Sequence, residues 1–328
     1  MDGLRKDREL LAQYASGVGF QSLGLLAKAY RFLSKARSSL KRHRTRYDSK
    51  AKQPDAVIEA VGEAGEFVAK LIIGTLHRLK IGRWLEKIQG AGGVIGGLVL
   101  GIIDLRKTKS AGSIWRYAGL DPTWPRSRSN RYLRYLLCTA FANQFIRQAQ
   151  LEDLSGDHLI YGKVFKWYLG KLSEANEQLK FKQYALAKAE KLERSQSRYR
   201  DLSIYKAGKL PHSHLFARAR RFTCKLFLSH LFEVGYYDLH GKEAPQPYIL
   251  TVKLPQGGPI RIIRPPFFTP QWYDSLPGIG LKEFYESETV LIPPPTHHHT
   301  EEEIHEQQRT VNGFLLDTIG TNPEETLL

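Results

Sequence analysis

From Leu4 to His240 the apolar residues of this chain recur at helical spacing, and only beyond Pro245 does the period change to two. A chain patterned in this way folds as packed helices, because each apolar stripe leaves water only by meeting another. The spacing predicts a helix over 4–47, with Leu10, Leu11, Tyr14, Leu25, Leu26, Tyr30 and Leu33 on its apolar side. A second runs from about Asp55 to Lys80 through Val57, Ile58, Val61, Phe67, Val68, Leu71, Ile72, Leu76 and Leu79. Ile81-Gly82 reads as a joint, and further helices are expected over about 113–119, 130–150, 160–197 and 213–240. Tyr248 to Leu254, a turn at Pro255-Gln256-Gly257-Gly258, and Pro259 to Arg264 read as a β-hairpin. The expected fold is mainly α: a helical bundle containing a helix-hairpin-helix element, followed by a small C-terminal β-hairpin and an extended acidic tail.

The 328 residues allow about two domains at ~100–200 residues each. With 49 Lys and Arg against 33 Asp and Glu the net charge is +16, which points to a polyanionic partner. The charge is uneven. Residues 282–328 hold ten acids against Lys282 and Arg309, which leaves 47 basic and 23 acidic groups, net +24, in residues 1–281. Two cysteines, Cys138 and Cys224, make neither a disulfide framework nor a cysteine-built zinc site. No apolar core of a signal peptide follows Met1, and the uncharged run Ile88–Ile103 has 16 residues, six of them Gly, short of the ~20 apolar residues a spanning helix needs. The expectation is a soluble protein with no membrane partner.

Three segments carry candidate chemistry. Ile88-Gln89-Gly90-Ala91-Gly92-Gly93-Val94 has the layout of a helix-hairpin-helix, in which Gly90, Gly92 and Gly93 permit the turn and the following helix offers backbone N–H groups to a phosphate. An ordinary tight helix joint reads equally well. In the loop 123–129 serines alternate with arginines, and Arg126, Arg128, Arg131 and Arg134 suit bidentate phosphate contacts. A serine there could attack a phosphodiester if its proton were removed and the developing charge offset; the plain alternative is a solvated basic loop. Ser110 and Ser113, at a helix start, are first of all capping residues. On the helix from 213, Arg218, Arg221 and Lys225 share one narrow stripe, which fits a nucleic-acid backbone or a solvated face. His297, His298, His299 and His305 are weak metal candidates, no Walker motif is present, and Asp104, Asp121, Asp153 and Asp157 are too scattered for a two-metal site. No metal is expected.

The run from Trp84 to Arg134 resembles the C-terminal transposase domain of the insertion-sequence one-ten group of RNA-guided transposases. The resemblance lies in the Gly-x-Gly hairpin, in Asp104, in Ser110-Ala111 through Tyr117-Ala118-Gly119-Leu120-Asp121-Pro122, and in Asn130-Arg131-Tyr132-Leu133-Arg134. A second block, Gly208–His214 with Ala217–Arg221 and Lys225–His230, is similar to a phage and archaeal offshoot of that group, as is Pro247-Tyr248-Ile249. The resemblance implies DNA as partner and transposition or recombination as activity, through a serine nucleophile at Ser127 or Ser129. It also implies a homo-oligomer in a prokaryotic or phage-encoded, cytoplasmic, DNA-associated setting. The family's N-terminal RuvC-like carboxylate domain has no counterpart in residues 1–83, which are helical and basic, and the loop lacks the family's Ser-Gly pair. The chain would therefore bind DNA as a domesticated or truncated derivative, or work with a separate nuclease subunit, which would bring its own Mg ions, and a structured guide RNA. The second reading is a non-catalytic architectural or RNA-associated protein.

The expected organisation is a basic, helical 1–80 with coiled-coil character and a transposase-like DNA-binding domain over 81–245. A β-hairpin appendage over 246–281 and a partly disordered acidic tail over 282–328 follow.

Overall fold

The structure, a computed structural model, describes residues 19–47, 53–154, 156–195, 201–245 and 263–268. It is mainly helical, with no strand among the described residues. Helices α1 (Gly19–Tyr47) and α2 (Gln53–Arg78) pair along their lengths. Their buried side chains concentrate at one end, at Leu23, Leu26 and Ala27 of α1 and Val68, Ile72 and Leu76 of α2. There α4 (Gly93–Ile102) lies against both. Small residues permit the approach: a Cβ on Gly97 would stand 2.2 Å from Ile72 Cγ2, and one on Gly101 2.3 Å from the Leu23 carbonyl oxygen.

Between α2 and α4 sits α3 (Lys80–Lys87). The joint falls at Leu79, whose extended backbone separates the two helices, and Ile81 and Gly82 are buried in the first turn of α3. The reason is across the fold: the Asp238 carboxylate accepts the Ile81 N–H at 2.9 Å and serves as a distant cap for that turn. After a 3-10 turn at Leu105–Lys107 come α5 (Ala111–Tyr117) and α6 (Arg131–Tyr135), then a π-helical segment, Leu136–Phe141, that runs into α7 (Ala142–Ala149).

The helix expected over 160–197 is two, α8 (Ile160–Glu177) and α9 (Lys182–Arg194). Leu179 takes φ +53°, and the Lys180 N–H reaches back to the Ala175 carbonyl, the left-handed ending usually built on glycine. Burial of Phe181 just beyond holds the break. Helix α10 (Leu202–Lys206) leads to α11 (His212–His240), which ends on Gly241 at φ +62°.

The 29-residue α11 is the axis of the bundle. Its buried residues Leu215, Ala219, Cys224, Phe227, Leu231 and Val234 spread over about half of its circumference, wider than a single packing stripe. Phe227 is the centre of a ring cluster, 4.6 Å from Phe141, 5.3 Å from Tyr161 and 5.7 Å from Phe145 between centroids. One core cluster joins Leu23, Ile72 and Leu76 to Leu98, Phe141 and Phe227, so the described helices before and after residue 80 share an interior. Ile263–Phe268 is irregular chain fixed to this body: Trp84 Nε1 donates to the Pro266 carbonyl at 2.6 Å, and His230 Nε2 lies 2.8 Å from the Ile263 carbonyl. The rest of the expected β-hairpin and the acidic tail lie outside the described residues.

Candidate nucleic-acid interface

Ser110 caps α5 through a reciprocal pair: the Ser113 N–H donates to Ser110 Oγ at 3.3 Å, and the Ser110 N–H to Ser113 Oγ at 3.4 Å. The helix closes on Gly119, at φ +65°, with the Leu120 N–H bonded to the Trp115 carbonyl at 2.9 Å. A side chain at 119 is doubly excluded. Besides the backbone angle, a Cβ there would lie 2.8 Å from Ser129 Oγ and 3.5 Å from Arg134 Cδ.

The loop that follows is built, not slack. Asp121 accepts from the Thr123 N–H at 2.9 Å and its hydroxyl at 2.7 Å, and Arg116 Nε lies 3.4 Å away. Burial works against ionisation, yet those bonds and the charge of Lys225 hold the carboxyl below its ordinary range. Trp124 has the guanidiniums of Arg116 and Arg128 over its ring, at 5.5 and 5.9 Å. Arg126, Ser127 and Arg128 form a 3-10 turn with Ser127 exposed. Asn130 then caps α6, its side chain accepting the Leu133 N–H at 3.0 Å and donating to the Tyr117 hydroxyl at 2.8 Å.

Helix α6 and the π segment bring Arg134 and Cys138 against α11. Here four of the arginines and lysines expected to meet phosphate converge. Arg134, Arg218, Arg221 and Lys225 bear on one another and on Cys138, Tyr168 and Tyr184. Arg218 lies over the Phe181 ring at 4.8 Å and Lys225 over the Trp115 ring at 5.3 Å, while Trp115 Nε1 donates to the Lys225 carbonyl at 3.0 Å. All four side chains are half-buried. Among the described residues no salt bridge joins any of the four to a carboxylate. Burial first, and the neighbouring cations after it, push Arg221 and Lys225 below their ordinary values, against the opposing charges of Cys138 on Arg221 and Asp121 on Lys225.

His214 belongs to the wall of the same cluster. Its Nδ1 is 3.2 Å from the Tyr205 hydroxyl and its ring meets Tyr184 edge-on. Burial, with the charges of Arg218, Arg221 and Lys188, lowers its pKa to about 3 and keeps it neutral. His212 is exposed at the start of α11.

The remaining expected residues sit apart. Ser129 borders the cluster through Gly119 and Arg134, whereas Ser127 points from the exposed turn. Arg131 is exposed on α6. Gly90 and Gly93 take φ +77° and +62° and make the turn between α3 and α4. That turn is docked: a Cβ on Gly90 would meet Gln144 at 2.8 Å, one on Gly92 would meet Glu86 at 3.1 Å, and the Gln89 N–H donates to the His158 carbonyl. Gly92, Gly93, Val94 and Ile95 are half-exposed at a helix start without a side-chain cap.

Sequence spacing placed the stripe on α11 but not what surrounds it. Arg220 of the same helix joins it, and Cys138, Tyr168, Tyr184 and Trp115 complete the cluster from four other points in the chain. The one local signal was the arginine pair at 220–221 at helical distance from Lys225. Among the described residues no group of three or more His, Cys, Asp or Glu could hold a metal, and no helix is long and apolar enough to cross a membrane. Comparison with family models, curated proteins and solved structures finds no match for this chain.

Proposed function

We propose that this chain is a DNA-binding, transposase-like protein of mobile-element origin that grips duplex or branched DNA through its phosphates. The observation that supports the reading is the convergence of Arg134, Arg218, Arg221 and Lys225, none of them in a salt bridge among the described residues, with the charge of Asp121 reaching only the Lys225 edge. Half-burying like charges beside one another is unfavourable in the free protein. Such an arrangement is useful where a ligand anion supplies the counter-charge, and a phosphodiester backbone supplies it repeatedly. The glycine turn with its uncapped helix start, read as a helix-hairpin-helix, would add sequence-independent backbone contacts.

The test is salt dependence. Affinity for random duplex DNA should fall linearly in log K against log salt, with a slope near −0.9 for each phosphate neutralised. Arg218→Gln with Arg221→Gln should weaken binding evenly across sequences and reduce that slope by about 1 to 2. A flat response in the parent chain removes the reading.

Strand transfer is the enzymatic extension. A serine Oγ would attack the phosphorus, the new Ser–O–P ester would form, and the 3′ oxygen would leave with its electron pair and take up a proton. Ser129 lies beside Arg134, which could offset charge on the phosphorus, and Ser127 is the more accessible hydroxyl. Nicked, branched and duplex DNA, with candidate guide RNA and a RuvC-like partner added, should yield a covalent protein–DNA adduct that Ser127→Ala or Ser129→Ala abolishes. Absence of any adduct leaves phosphate binding without chemistry, the reading that the built, cation–π-braced loop favours.

A further inference from the structure

The two cysteines of this chain are 86 positions apart in sequence and adjacent in the fold. Cys138 stands in the π segment, where the Ala142 N–H reaches to the Leu137 carbonyl across a widened turn. Cys224 stands on α11, its Sγ donating to that same Leu137 carbonyl at 3.3 Å. That carbonyl belongs to the residue before Cys138, so the two thiols stand side by side and each shifts the other's ionisation. Cys138 is half-buried, while Cys224 is sealed in the core. Three guanidiniums face Cys138, Arg220 and Arg221 from α11 and Arg134 from α6. The Nε of Arg220 is buried without a hydrogen-bond partner. The neighbouring Cys224 side chain comes first, then the three positive charges, and against the opposing effect of burial they hold the Cys138 thiol below its ordinary range. Cys224 is driven the other way by the neighbouring Cys138 side chain, by burial and by the Cys138 charge. The pair is therefore unequal.

We propose that Cys138 is a peroxide-reactive cysteine and Cys224 its resolving partner, which the fold joins in an intramolecular disulfide. The Cys138 thiolate attacks one peroxide oxygen; the S–O bond forms, the O–O bond breaks, and the leaving hydroxide takes a proton to become water. Sulfur is oxidised and oxygen reduced. Cys138, now a neutral sulfenic acid, no longer raises the Cys224 thiol, which gives up its proton. Its sulfur then displaces hydroxide from Cys138, and the S–S bond forms as the S–O bond breaks and a second water leaves. The sulfurs must close to about 2.05 Å, and the π segment, whose hydrogen bonds span one residue more than those of an α-helix, offers slack for that movement. Bridging also withdraws a negative charge from among Arg134, Arg220 and Arg221. None of this depends on what the cluster binds.

The experiment uses the full, reduced chain exposed to hydrogen peroxide. The expected product is a monomer lighter by two hydrogens, with no alkylatable thiol and a reducible 138–224 linkage in its peptide map. Before oxidation, iodoacetamide should label Cys138 well before Cys224 and at a pH below the ordinary thiol range. Cys224→Ser should stop at a dimedone-reactive sulfenic acid on Cys138. The proposal fails if Cys138 gains oxygen while Cys224 in the parent chain remains alkylatable. It fails equally if the linkage forms between chains, or if both thiols survive peroxide that oxidises the urea-unfolded chain.

Discussion

Glu233 is a carboxyl group in the middle of α11 with 7% of its surface exposed, and its Oε2 has no hydrogen-bond partner. Burial alone pushes its pKa from 4.5 up to about 8. The folded chain thus keeps a proton between those two values that the unfolded chain has released. A raised folded pKa contributes stability that is complete below pH 4.5 and lost as pH rises through about 8. At about 1.4 kcal/mol per unit the loss is on the order of 5 kcal/mol. Glu233→Gln stays neutral throughout, so its unfolding free energy relative to the parent should climb from pH 5 to pH 8. Urea unfolding at several pH values measures this; a constant difference would mean the carboxyl is ionised within the fold. The neighbouring His230, lowered by burial to about 4 and bonded to Tyr161 and the Ile263 carbonyl, is neutral in both chains across this range above pH 6.5 and does not blur the comparison there. None of this was legible from spacing. Glu233 looks like any polar residue in a helix, because only the packing of other elements decides which faces of α11 meet water.

Helix spans were the readable part, since a 3.6-residue period records burial directly. The second helix and α11 were expected within two residues of where they lie, and α5 begins at Ala111 because the Ser110–Ser113 box fixes it there. The break at Leu179 was hidden. A leucine in the left-handed region carries no sequence signal, unlike the glycines that end α5 and α11. The π segment was hidden for the same reason: Leu136–Phe141 keeps a helical pattern of apolar residues while its hydrogen bonds widen. The α1–α2–α4 contact gives the test at this scale. Gly101→Ala adds a methyl 2.3 Å from a backbone oxygen of α1, which no side-chain rotation can relieve. Alanine favours an isolated helix over glycine by about 1 kcal/mol, but forcing α1 away should cost about 1–3 kcal/mol and leave a net loss. Thermal or urea unfolding decides the sign. A stabilised Gly101→Ala would show that α1 is free to slide on α4.

For the whole molecule, net charge announced a polyanionic partner but not where one would sit, because a cation in sequence is the same letter whether solvated or pressed on a ring. The fold sorts them: Arg31, Arg218 and Lys225 lie over aromatic faces, and Arg134, Arg218, Arg221 and Lys225 gather while the acids concentrate beyond residue 281. That segregation has a measurable consequence. A chain shortened to residues 1–281 goes from net +16 to +24. If the tail's charge opposes phosphate only through the field it adds, removing it should tighten DNA binding roughly tenfold at ~0.01 M salt, where the screening length is about 30 Å. The advantage should shrink towards nothing near ~1 M salt, where fields reach only about 3 Å. Titrating both chains with the same duplex at both salts gives the ratio. A ratio that stays large at high salt would instead mean that the acids occupy the cationic cluster by direct contact, with Arg218 and Arg221 holding carboxylates where they would otherwise hold phosphate.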